Sequence, residues 1–256
     1  MKTRLDALLV ERGLVASRER ARALILAGDV LVDGHPVTKA GTAVPADAAI
    51  ELRTPDHPYV SRGGLKLAHA LGVFGIDVTG RRALDIGAST GGFTDVLLQR
   101  GAEQVVALDV GHNQIDWRLR TDPRVIVREG VNARALAPAD LPGPFGIVTV
   151  DVSFISLRHI YPVIPALLTR EGDVVALVKP QFEAGRHEVG KGGLVTDPAI
   201  HDAVLARSRE DAESAGLRAI AMTESPITGA TGNREFFLHL RADEAGGAGG
   251  AGRAGG

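Results

Sequence analysis

Seven short, predominantly apolar runs recur between residues 82 and 240, separated by polar or glycine-rich stretches. The runs lie at 83–86, 105–108, 125–127, 145–150, 174–178, 218–222 and 236–240. Apolar runs of this length are typical of strands that are buried on both faces of a sheet. After the first run, Phe93, Val96 and Leu97 have the spacing of one helix face, and a longer helix is predicted from Asp197 to Ala215. The pattern therefore predicts an α/β fold with a doubly wound, mostly parallel sheet.

The first 53 residues have a different pattern, in which two amphipathic segments precede short strand-like pieces. Thr3 and Ser17 are candidate N-caps of two helices, and Gly13 and Gly28 follow the predicted helix ends. Asp33-Gly34 lies between two short apolar runs, which predicts a β-hairpin with a tight turn. Two further strand-like pieces are predicted at 42–44 and 49–52. These elements predict a small α+β domain over residues 1–53.

Two compositionally distinct stretches mark the limits of the larger domain. Residues 54–60 contain two prolines among polar residues and predict a short, stiff interdomain linker. The main domain is therefore expected over residues 61–242. Residues 243–256 are mostly glycine and alanine, and we expect them to be disordered.

Composition limits the possible functions. The chain has 256 residues, a formal net charge of -2 and no cysteine, which excludes disulfides and thiol chemistry. No apolar run approaches the roughly 20 residues of a membrane span, and the N-terminus has no signal-peptide core. We therefore expect a cytoplasmic monomer without a membrane partner or a metal site. Because the net charge is close to zero, any affinity for nucleic acid must come from local basic patches.

A glycine-rich turn follows the first apolar run of the main domain. Three residues separate Gly87 from the pair Gly91-Gly92, which does not fit the G-x-G-x-x-G spacing of dinucleotide-binding folds. The spacing fits the D-x-G-x-x-x-G-G form of S-adenosylmethionine-dependent methyltransferases. Asp109 ends the second run, where its carboxylate can accept hydrogen bonds from both hydroxyls of a ribose. The alternative is a plain glycine turn with a helix-capping acid.

We predict S-adenosyl-L-methionine as the cofactor, with contacts along the strand ends. The predicted cofactor contacts are Asp85, Gly87, Ala88, Ser89, Gly91, Gly92, Phe93, Asp109, Asn132 and Asp151. Asn132 follows the third run, where methyltransferases place polar groups that face the adenine. An ordinary turn asparagine is an equally good interpretation of this position.

Parallel strands bring their carboxyl ends to one edge of a sheet, which predicts Asp85, Asp109, Asp151 and Lys179 at a common edge. A lysine at the end of a buried strand is costly unless its amine is paired. Asp151, on the neighbouring predicted strand, is the natural partner of Lys179. A purely structural ion pair at the sheet edge is the alternative.

Basic residues cluster near the start of the second predicted helix, where cations oppose the helix dipole. Contact with phosphate would offset this cost, although a solvated basic face explains the cluster equally well. The segment resembles the small RNA-binding module of a small-subunit ribosomal protein and of pseudouridine synthases, at residues 5–10, 12–14, 17–18 and 25–34. The predicted RNA contacts are Arg4, Arg18, Arg20, Arg22 and, in the main domain, Arg62.

Apart from its tail, the chain closely resembles the TlyA, or haemolysin A-like, family of ribosomal RNA 2'-O-methyltransferases. The catalytic domain of that family is similar to the Rossmann-like FtsJ/RrmJ methyltransferases. The stretches that carry the resemblance are 59–66, 85–94, 151–156, 178–183 and 232–237. The resemblance implies S-adenosylmethionine-dependent methylation of a cytidine ribose in ribosomal RNA, either 23S alone or 23S and 16S. It also implies a catalytic tetrad of Lys66, Asp151, Lys179 and Glu235.

The tetrad suits this chemistry, because a ribose 2'-hydroxyl is a weak acid that must lose its proton as it attacks the methyl group. The resemblance gives Lys179 the central catalytic role, and our hypothesis is that Lys179 takes or steers the proton while Lys66 tunes it and positions the ribose. Asp151 and Glu235 would then hold the two amines. The glycine tail and short N-terminus depart from some relatives, which leaves the modified ribosomal subunit open.

Three other functions compete with this hypothesis. One is a non-catalytic RNA-binding or ribosome-assembly factor with a degenerate methyltransferase fold, which the intact tetrad disfavours. A second is a cytolysin, which the older family name suggests and which no amphipathic basic helix supports. An oxidoreductase is the weakest alternative because the glycine spacing is wrong for a dinucleotide.

Overall fold

The computed structural model describes residues 2–15, 17–26, 28–53 and 57–243. The predicted disorder of the tail therefore lies outside the described residues, except at Asp243, and residues 54–56 of the predicted linker also lie outside them. Contacts divide the chain into two compact units, Met1–Pro58 and Tyr59–Gly256. The division falls inside the stretch predicted as a linker.

In its described residues, the N-terminal unit contains two helices and two small antiparallel sheets. Its elements are β1 (Lys2–Arg4), α1 (Leu5–Glu11), α2 (Arg18–Leu26), β2 (Val30–Val32), β3 (His35–Pro36), β4 (Ala43–Pro45) and β5 (Ile50–Leu52). Strand β1 pairs with β4, and β2 pairs with both β3 and β5. Leu5, Leu9, Ile25 and Val30 are fully buried in one hydrophobic cluster. The small α+β domain predicted from the sequence is confirmed.

The two predicted helix caps of this unit have different outcomes. The Ser17 hydroxyl accepts a hydrogen bond from the backbone N–H of Arg20 at 3.1 Å, as expected for a cap. The prediction for Thr3 is wrong, because Thr3 belongs to β1 and pairs with Val44. The residue before α1 is Arg4, which makes no side-chain cap. Strand pairing, a long-range contact, therefore displaced the local capping interaction.

The predicted hairpin joins β2 to β3. Val32 pairs with His35 across the turn, and Leu31 pairs with Pro36. Asp33 and Gly34 both have positive φ angles, 51° and 78°, which is the backbone of the tight two-residue turns that favour Asp-Gly. This turn chemistry could be predicted from the two residues alone.

The larger unit is built on a seven-stranded sheet. Its elements are α3 (Gly63–Phe74), β6 (Arg82–Ile86), α4 (Gly92–Gln99), β7 (Gln104–Asp109), α5 (Trp117–Arg120), β8 (Val125–Glu129), β9 (Phe145–Val150), β10 (Leu168–Val178), α6 (Pro180–Glu183), α7 (Pro198–Ser214), β11 (Leu217–Glu224) and β12 (Phe236–Ala242). The strand order is β11-β12-β10-β9-β6-β7-β8. The five strands β6 to β10 are parallel, while β12 and β11 are antiparallel to their neighbours. The mostly parallel, doubly wound sheet is therefore confirmed.

Both faces of this sheet are buried. Leu67 and Leu71 of α3 and Leu97 of α4 pack on one face. Val204 of α7 and the buried ring of Tyr161 pack on the other. Burial on both faces explains why the strands have nearly continuous apolar sequences instead of an alternating pattern.

Two segments of the larger unit start differently from a regular capped α-helix. The segment after Ser156 forms three short 3-10 turns instead of an α-helix, because Pro162 and Pro165 remove backbone donors inside it. The Ser156 hydroxyl still accepts a hydrogen bond from the backbone of Arg158 at 3.3 Å. Helix α3 begins after Arg62, which makes no side-chain cap.

The topology gathers several residues at the carboxyl edge of the parallel strands. Gly87, Asp151 and Lys179 each follow the last residue of a strand, and Asp109 ends β7. Because β12 is antiparallel, its first residue lies at this same edge, and Glu235 immediately precedes it. The opposite edge collects the starts of the parallel strands and of β11, together with the end of β12.

Candidate active site

Asp85 lies at the base of the glycine turn and is completely buried. Its carboxylate accepts hydrogen bonds from the hydroxyls of Thr94 at 2.7 Å and Thr149 at 2.9 Å. Burial raises the pKa of Asp85 to about 6 from an ordinary 3.8, because desolvation opposes the charged form more than the two hydroxyls support it. Asp85 thus ties α4 and β9 to the start of the turn.

The glycines of the turn are required by the protein's own packing. Gly87 and Gly91 have φ angles of +85° and +93°, which side chains rarely adopt. A Cβ on Gly87 would meet the backbone carbonyl of Asp151, and one on Gly91 would meet the side chain of Leu119. A Cβ on Gly92 would likewise meet the hydroxyl of Ser61, in the loop before α3. The spacing therefore serves the close approach of neighbouring segments at the turn.

A cavity of about 420 Å³ opens beside this turn, at the carboxyl edge of β6, β7 and β9. Half of the ten predicted cofactor contacts line it: Gly87, Ser89, Asp109, Asn132 and Asp151. The other five shape the turn behind the cavity without lining it: Asp85, Ala88, Gly91, Gly92 and Phe93. Cofactor contact by these ten residues stays a prediction.

Asp109 and Asn132 present polar groups to the cavity. The Asp109 carboxylate accepts hydrogen bonds from the backbone N–H groups of Ser89, at 2.8 Å, and Gly111, at 2.7 Å. Each oxygen accepts one of these bonds and has a second lone pair for a ligand hydroxyl. The Asn132 carbonyl oxygen accepts a hydrogen bond from the backbone of Arg134 at 3.1 Å, which orients its amide group.

Two lysine–carboxylate ion pairs lie at the same edge of the sheet. Lys179 Nζ is 2.6 Å from an Asp151 oxygen and donates a hydrogen bond to the Ser153 hydroxyl at 2.9 Å. Lys66, on α3, donates a hydrogen bond to Glu235 at 2.5 Å. The lysine side chains are only 11% and 12% exposed, respectively. Each amine is therefore held by its own carboxylate, at a site that is largely shielded from solvent.

Strand register brings the two ion pairs next to each other. Val178 pairs with Phe236 in the antiparallel β10–β12 ladder, so Lys179 and Glu235 face each other one position beyond it. Lys179 therefore pairs with Asp151, which directly follows β9, and its backbone lies next to that of Glu235, which directly precedes β12. The four residues expected from the family resemblance are assembled at one place, although their catalytic roles stay predictions.

Sequence reasoning missed Phe154, which lines the cavity next to the ion pairs. Its side chain is 90% exposed, and its φ of 63° is unusual for a residue other than glycine. The ring lies 5.0 Å from the ring of Phe182, which in turn lies 5.9 Å from Lys179 Nζ. An aromatic residue in the short segment 151–156, directly after the fourth apolar run, was the available sequence signal.

The N-terminal unit contains a second charged cluster, centred on a buried carboxylate that sequence reasoning also missed. Asp6 is paired with Arg4 at 2.9 Å, Arg18 at 3.2 Å and Arg22 at 3.3 Å. The hydrogen bond from Arg4, together with those from the other two arginines, keeps the pKa of Asp6 well below its ordinary value. The arginine side chains are 51%, 53% and 57% exposed. Three of the predicted RNA contacts are therefore organised by one anion and carry excess positive charge.

The remaining two predicted RNA contacts have other partners. Arg20 is half-buried and donates a hydrogen bond to the backbone carbonyl of His57 at 2.9 Å. Arg62 donates one to the backbone carbonyl of Thr228 at 3.3 Å. Their contact with RNA stays a prediction. Over the described ranges, no cluster of possible metal ligands is present and no helix is long and apolar enough to cross a membrane.

Comparison with known families gives the class of this protein. The FtsJ-like methyltransferase family matches residues 59–242, and the S4 domain matches residues 3–50. The fold, the cavity at the carboxyl edge and these matches together define an FtsJ-like methyltransferase with an S4 domain ahead of the catalytic unit.

Relatives that span nearly the whole chain narrow this class. The chain is 49% identical over 242 residues to the 16S/23S rRNA (cytidine-2'-O)-methyltransferase TlyA of Mycobacterium tuberculosis, covering 94% of this chain and 90% of that protein. It is 42% identical to Hemolysin A of Brachyspira hyodysenteriae, covering 93% and 99%. A solved structure of a provisionally named hemolysin from Streptococcus thermophilus has a TM-score of 0.76 at 44% identity, covering 95% and 89%. The chain belongs to the TlyA family.

Proposed function

We propose that this protein transfers the methyl group of S-adenosyl-L-methionine to the 2'-hydroxyl of a cytidine in ribosomal RNA. The proposal rests on one observation. Two lysine–carboxylate pairs, largely shielded from solvent, lie beside an open cavity at the carboxyl edge of the sheet. The printed name of the Mycobacterium relative describes the same reaction for that protein. As a soluble enzyme of ribosomal RNA, the protein would act as a cytoplasmic monomer.

The residues around the cavity fit this cofactor. Its volume of about 420 Å³ is within the roughly 300–1,000 Å³ typical of small-molecule sites. The free lone pairs of Asp109 can accept hydrogen bonds from two ribose hydroxyls, and the amide group of Asn132 can contact the adenine. When bound, the cofactor supplies a methyl group that is already activated by a sulfonium charge.

The tetrad would position the target ribose and remove its proton. Lys179 Nζ, when unprotonated, would accept the proton that the 2'-oxygen releases as the new oxygen–carbon bond forms and the carbon–sulfur bond to the methyl group breaks, leaving S-adenosylhomocysteine. Asp151 and Ser153 fix the direction of this amine through contacts of 2.6 and 2.9 Å. Lys66, held by Glu235, orients the ribose. Because the methyl donor is already reactive, positioning contributes as much as proton removal.

Phe154 would support the target base. Its exposed ring forms a tilted pair with Phe182 at the entrance to the cavity, next to Lys179. Stacking of a base on an aromatic ring contributes about 1–3 kcal/mol and does not depend on base identity. A platform at this place would hold an unstacked nucleotide with its ribose near the lysines.

The Asp6-centred arginines of the N-terminal unit would bind the phosphate backbone of the RNA. Guanidinium groups suit phosphate because they present several donors in one plane. The single anion at the centre leaves the group with net positive charge and holds the side chains in fixed directions. Preorganised cations lose less conformational freedom when the RNA binds.

The decisive experiment measures transfer of tritiated methyl groups to separated small and large ribosomal subunits. Wild-type protein should label at least one subunit at a ribose that then resists alkaline cleavage, whereas Lys179→Ala should bind cofactor without transferring label. Arg209→Ala, which changes an exposed cation on α7, serves as the control and should retain activity. Cofactor binding by the wild type without label on either subunit would favour the assembly-factor alternative.

A further inference from the structure

A second cavity, of about 680 Å³, lies at the amino edge of the sheet, opposite the candidate active site. It is formed where β6, β9, β10 and β11 begin and where β12 ends. The strands between the two edges contain about six residues, so at ~3.3 Å per residue the two places are roughly 20 Å apart. This cavity is therefore distinct from the cofactor site.

The lining of this cavity carries a strong positive charge. Five arginines line it: Arg81, Arg82, Arg170, Arg218 and Arg241. The acidic residues in the lining are Glu103 and Glu171. The formal balance is five positive against two negative charges, on a chain whose net charge is -2. Positive charge is therefore concentrated at this edge, although the net charge of the whole chain is negative.

A buried carboxylate next to the cavity fixes two of these arginines. Asp173 is 1% exposed and accepts hydrogen bonds from Arg81 at 2.7 Å and Arg241 at 2.8 Å, while His239 lies 2.8 Å from it. Burial opposes its ionisation, yet the hydrogen bonds from His239, Arg241 and Arg81 keep the pKa of Asp173 well below its ordinary value. Arg241 contacts this carboxylate through Nε, and its two terminal amino groups make no hydrogen bond with the described residues.

Protein stability does not explain the position of Arg218. It lies directly opposite Arg241 in the antiparallel ladder of β11 and β12. Like charges that face each other across two strands are destabilising. Within the part of the chain that the structure describes, neither Arg218 nor Arg170 has an ion-pair partner, and both are exposed. A bound anion would relieve this repulsion.

We propose that the arginines of the amino edge bind the phosphodiester backbone of a second segment of the substrate RNA. The inference rests on the proposed function, which makes a folded ribosomal RNA the substrate. The cations are spread over several strand ends and reach the exposed rim, which fits a chain of phosphates. A nucleotide at the lysine tetrad is too far away to contact this edge, so the bound segment is a different part of the RNA fold.

The test compares two variants in binding to purified ribosomal subunits as a function of salt. The double variant Arg170→Gln/Arg218→Gln removes two exposed cations that have no ion-pair partner among the described residues. Arg209→Gln removes an exposed cation on α7, away from the cavity, and is the control. Each phosphate contact contributes about 0.7–0.9 to the slope of log affinity against log salt. The double variant should therefore reduce that slope by about 1.5 and weaken binding about tenfold, while the control changes neither.

Methyl transfer gives the second readout. The double variant should raise the KM for ribosomal subunits and leave kcat and the affinity for S-adenosylmethionine unchanged. A salt slope and KM equal to those of the control variant would overturn the proposal. Stabilisation of the wild type, but not of the double variant, by inorganic phosphate or a mononucleotide with unchanged RNA binding would also overturn it and assign a small anion to the cavity. Absence of methyl transfer by the wild type would contradict the proposed function, while the binding slopes would still test this surface.

Discussion

The sheet-edge tetrad and the Asp6 cluster both combine carboxylates with cationic side chains, but in different proportions. At the sheet edge, Lys179 pairs with Asp151 and Lys66 pairs with Glu235, and both lysine side chains are nearly buried. In the N-terminal unit, the single carboxylate of Asp6 is shared by three arginines that are each more than half exposed. The sheet-edge tetrad is charge-balanced and shielded from solvent, whereas the Asp6 cluster has a net positive charge and is open to solvent.

This difference matches what each region would contact. Deprotonation of a hydroxyl requires a few groups in fixed positions, and exclusion of water strengthens the electrostatic interactions of these groups with the hydroxyl. A phosphate backbone needs excess positive charge that remains accessible. The ratio of carboxylates to cations, and their exposure, therefore separates a candidate catalytic cluster from a candidate RNA-binding cluster in the same chain.

The largest effect should come from removing the Lys179 amine of the sheet-edge tetrad. Lys179→Ala should lower kcat by about 10²–10⁴-fold, since it removes a positioned proton acceptor. Cofactor affinity, measured by titration calorimetry, should stay within about twofold, because Lys179 is absent from the cavity lining. Normal turnover by this variant would remove Lys179 from the mechanism.

A second test compares two buried carboxylates that differ in their partners. Asp85 has hydroxyl partners, and burial raises its pKa to about 6 from 3.8. The folded state therefore holds an extra proton between those values, and the free energy of unfolding should fall by about 3 kcal/mol as the pH rises from about 4 to about 6. Asp85→Asn should abolish this dependence, which denaturant titrations across that pH range would measure. An unchanged profile in the variant would assign the titration to another group.

Phe154, beside the sheet-edge tetrad, should affect how efficiently the enzyme uses its RNA substrate. Phe154→Ala should lower kcat/KM for the ribosomal subunit about 5- to 160-fold, corresponding to ~1–3 kcal/mol of stacking. Phe154→Tyr keeps an aromatic face and should retain most of the activity. Equal losses in both variants would show that the ring does not act by stacking. Steady-state kinetics at saturating cofactor would separate these outcomes.

The smallest effect is expected at the Asp6 cluster, where three arginines would contribute to RNA binding together. Asp6→Asn keeps the side-chain size but releases the three arginines from their common anion. RNA affinity should fall on the order of threefold to tenfold through lost preorganisation, even though the net positive charge increases. Filter binding at several salt concentrations would measure it, and Glu11→Gln on the exposed end of α1 is the control for charge. Tighter RNA binding by Asp6→Asn would show that net charge outweighs arrangement.

Much of the fold could be predicted because its causes are local. The apolar runs mark all seven strands of the large sheet, and the Asp33-Gly34 pair marks the hairpin. Ser17 could be predicted as a cap from its position before a helix. Thr3 could not be excluded as a cap, because its pairing with Val44 depends on a strand 40 residues later.

The sequence by itself determined the strand ends that place Asp109, Asp151 and Lys179 at the carboxyl edge of the sheet, since apolar runs mark where the strands end. The antiparallel direction of β12, which brings Glu235 to the same edge, was decided by the tertiary structure. The motif match supplied the four residues of the tetrad. Only the tertiary structure decided that Asp85 is buried behind the cavity, that Phe154 is exposed at its entrance and that Asp6 binds three arginines. The physical reason is that burial and ion pairing depend on neighbours that are distant in the chain, whereas strand and turn formation depend mainly on adjacent residues.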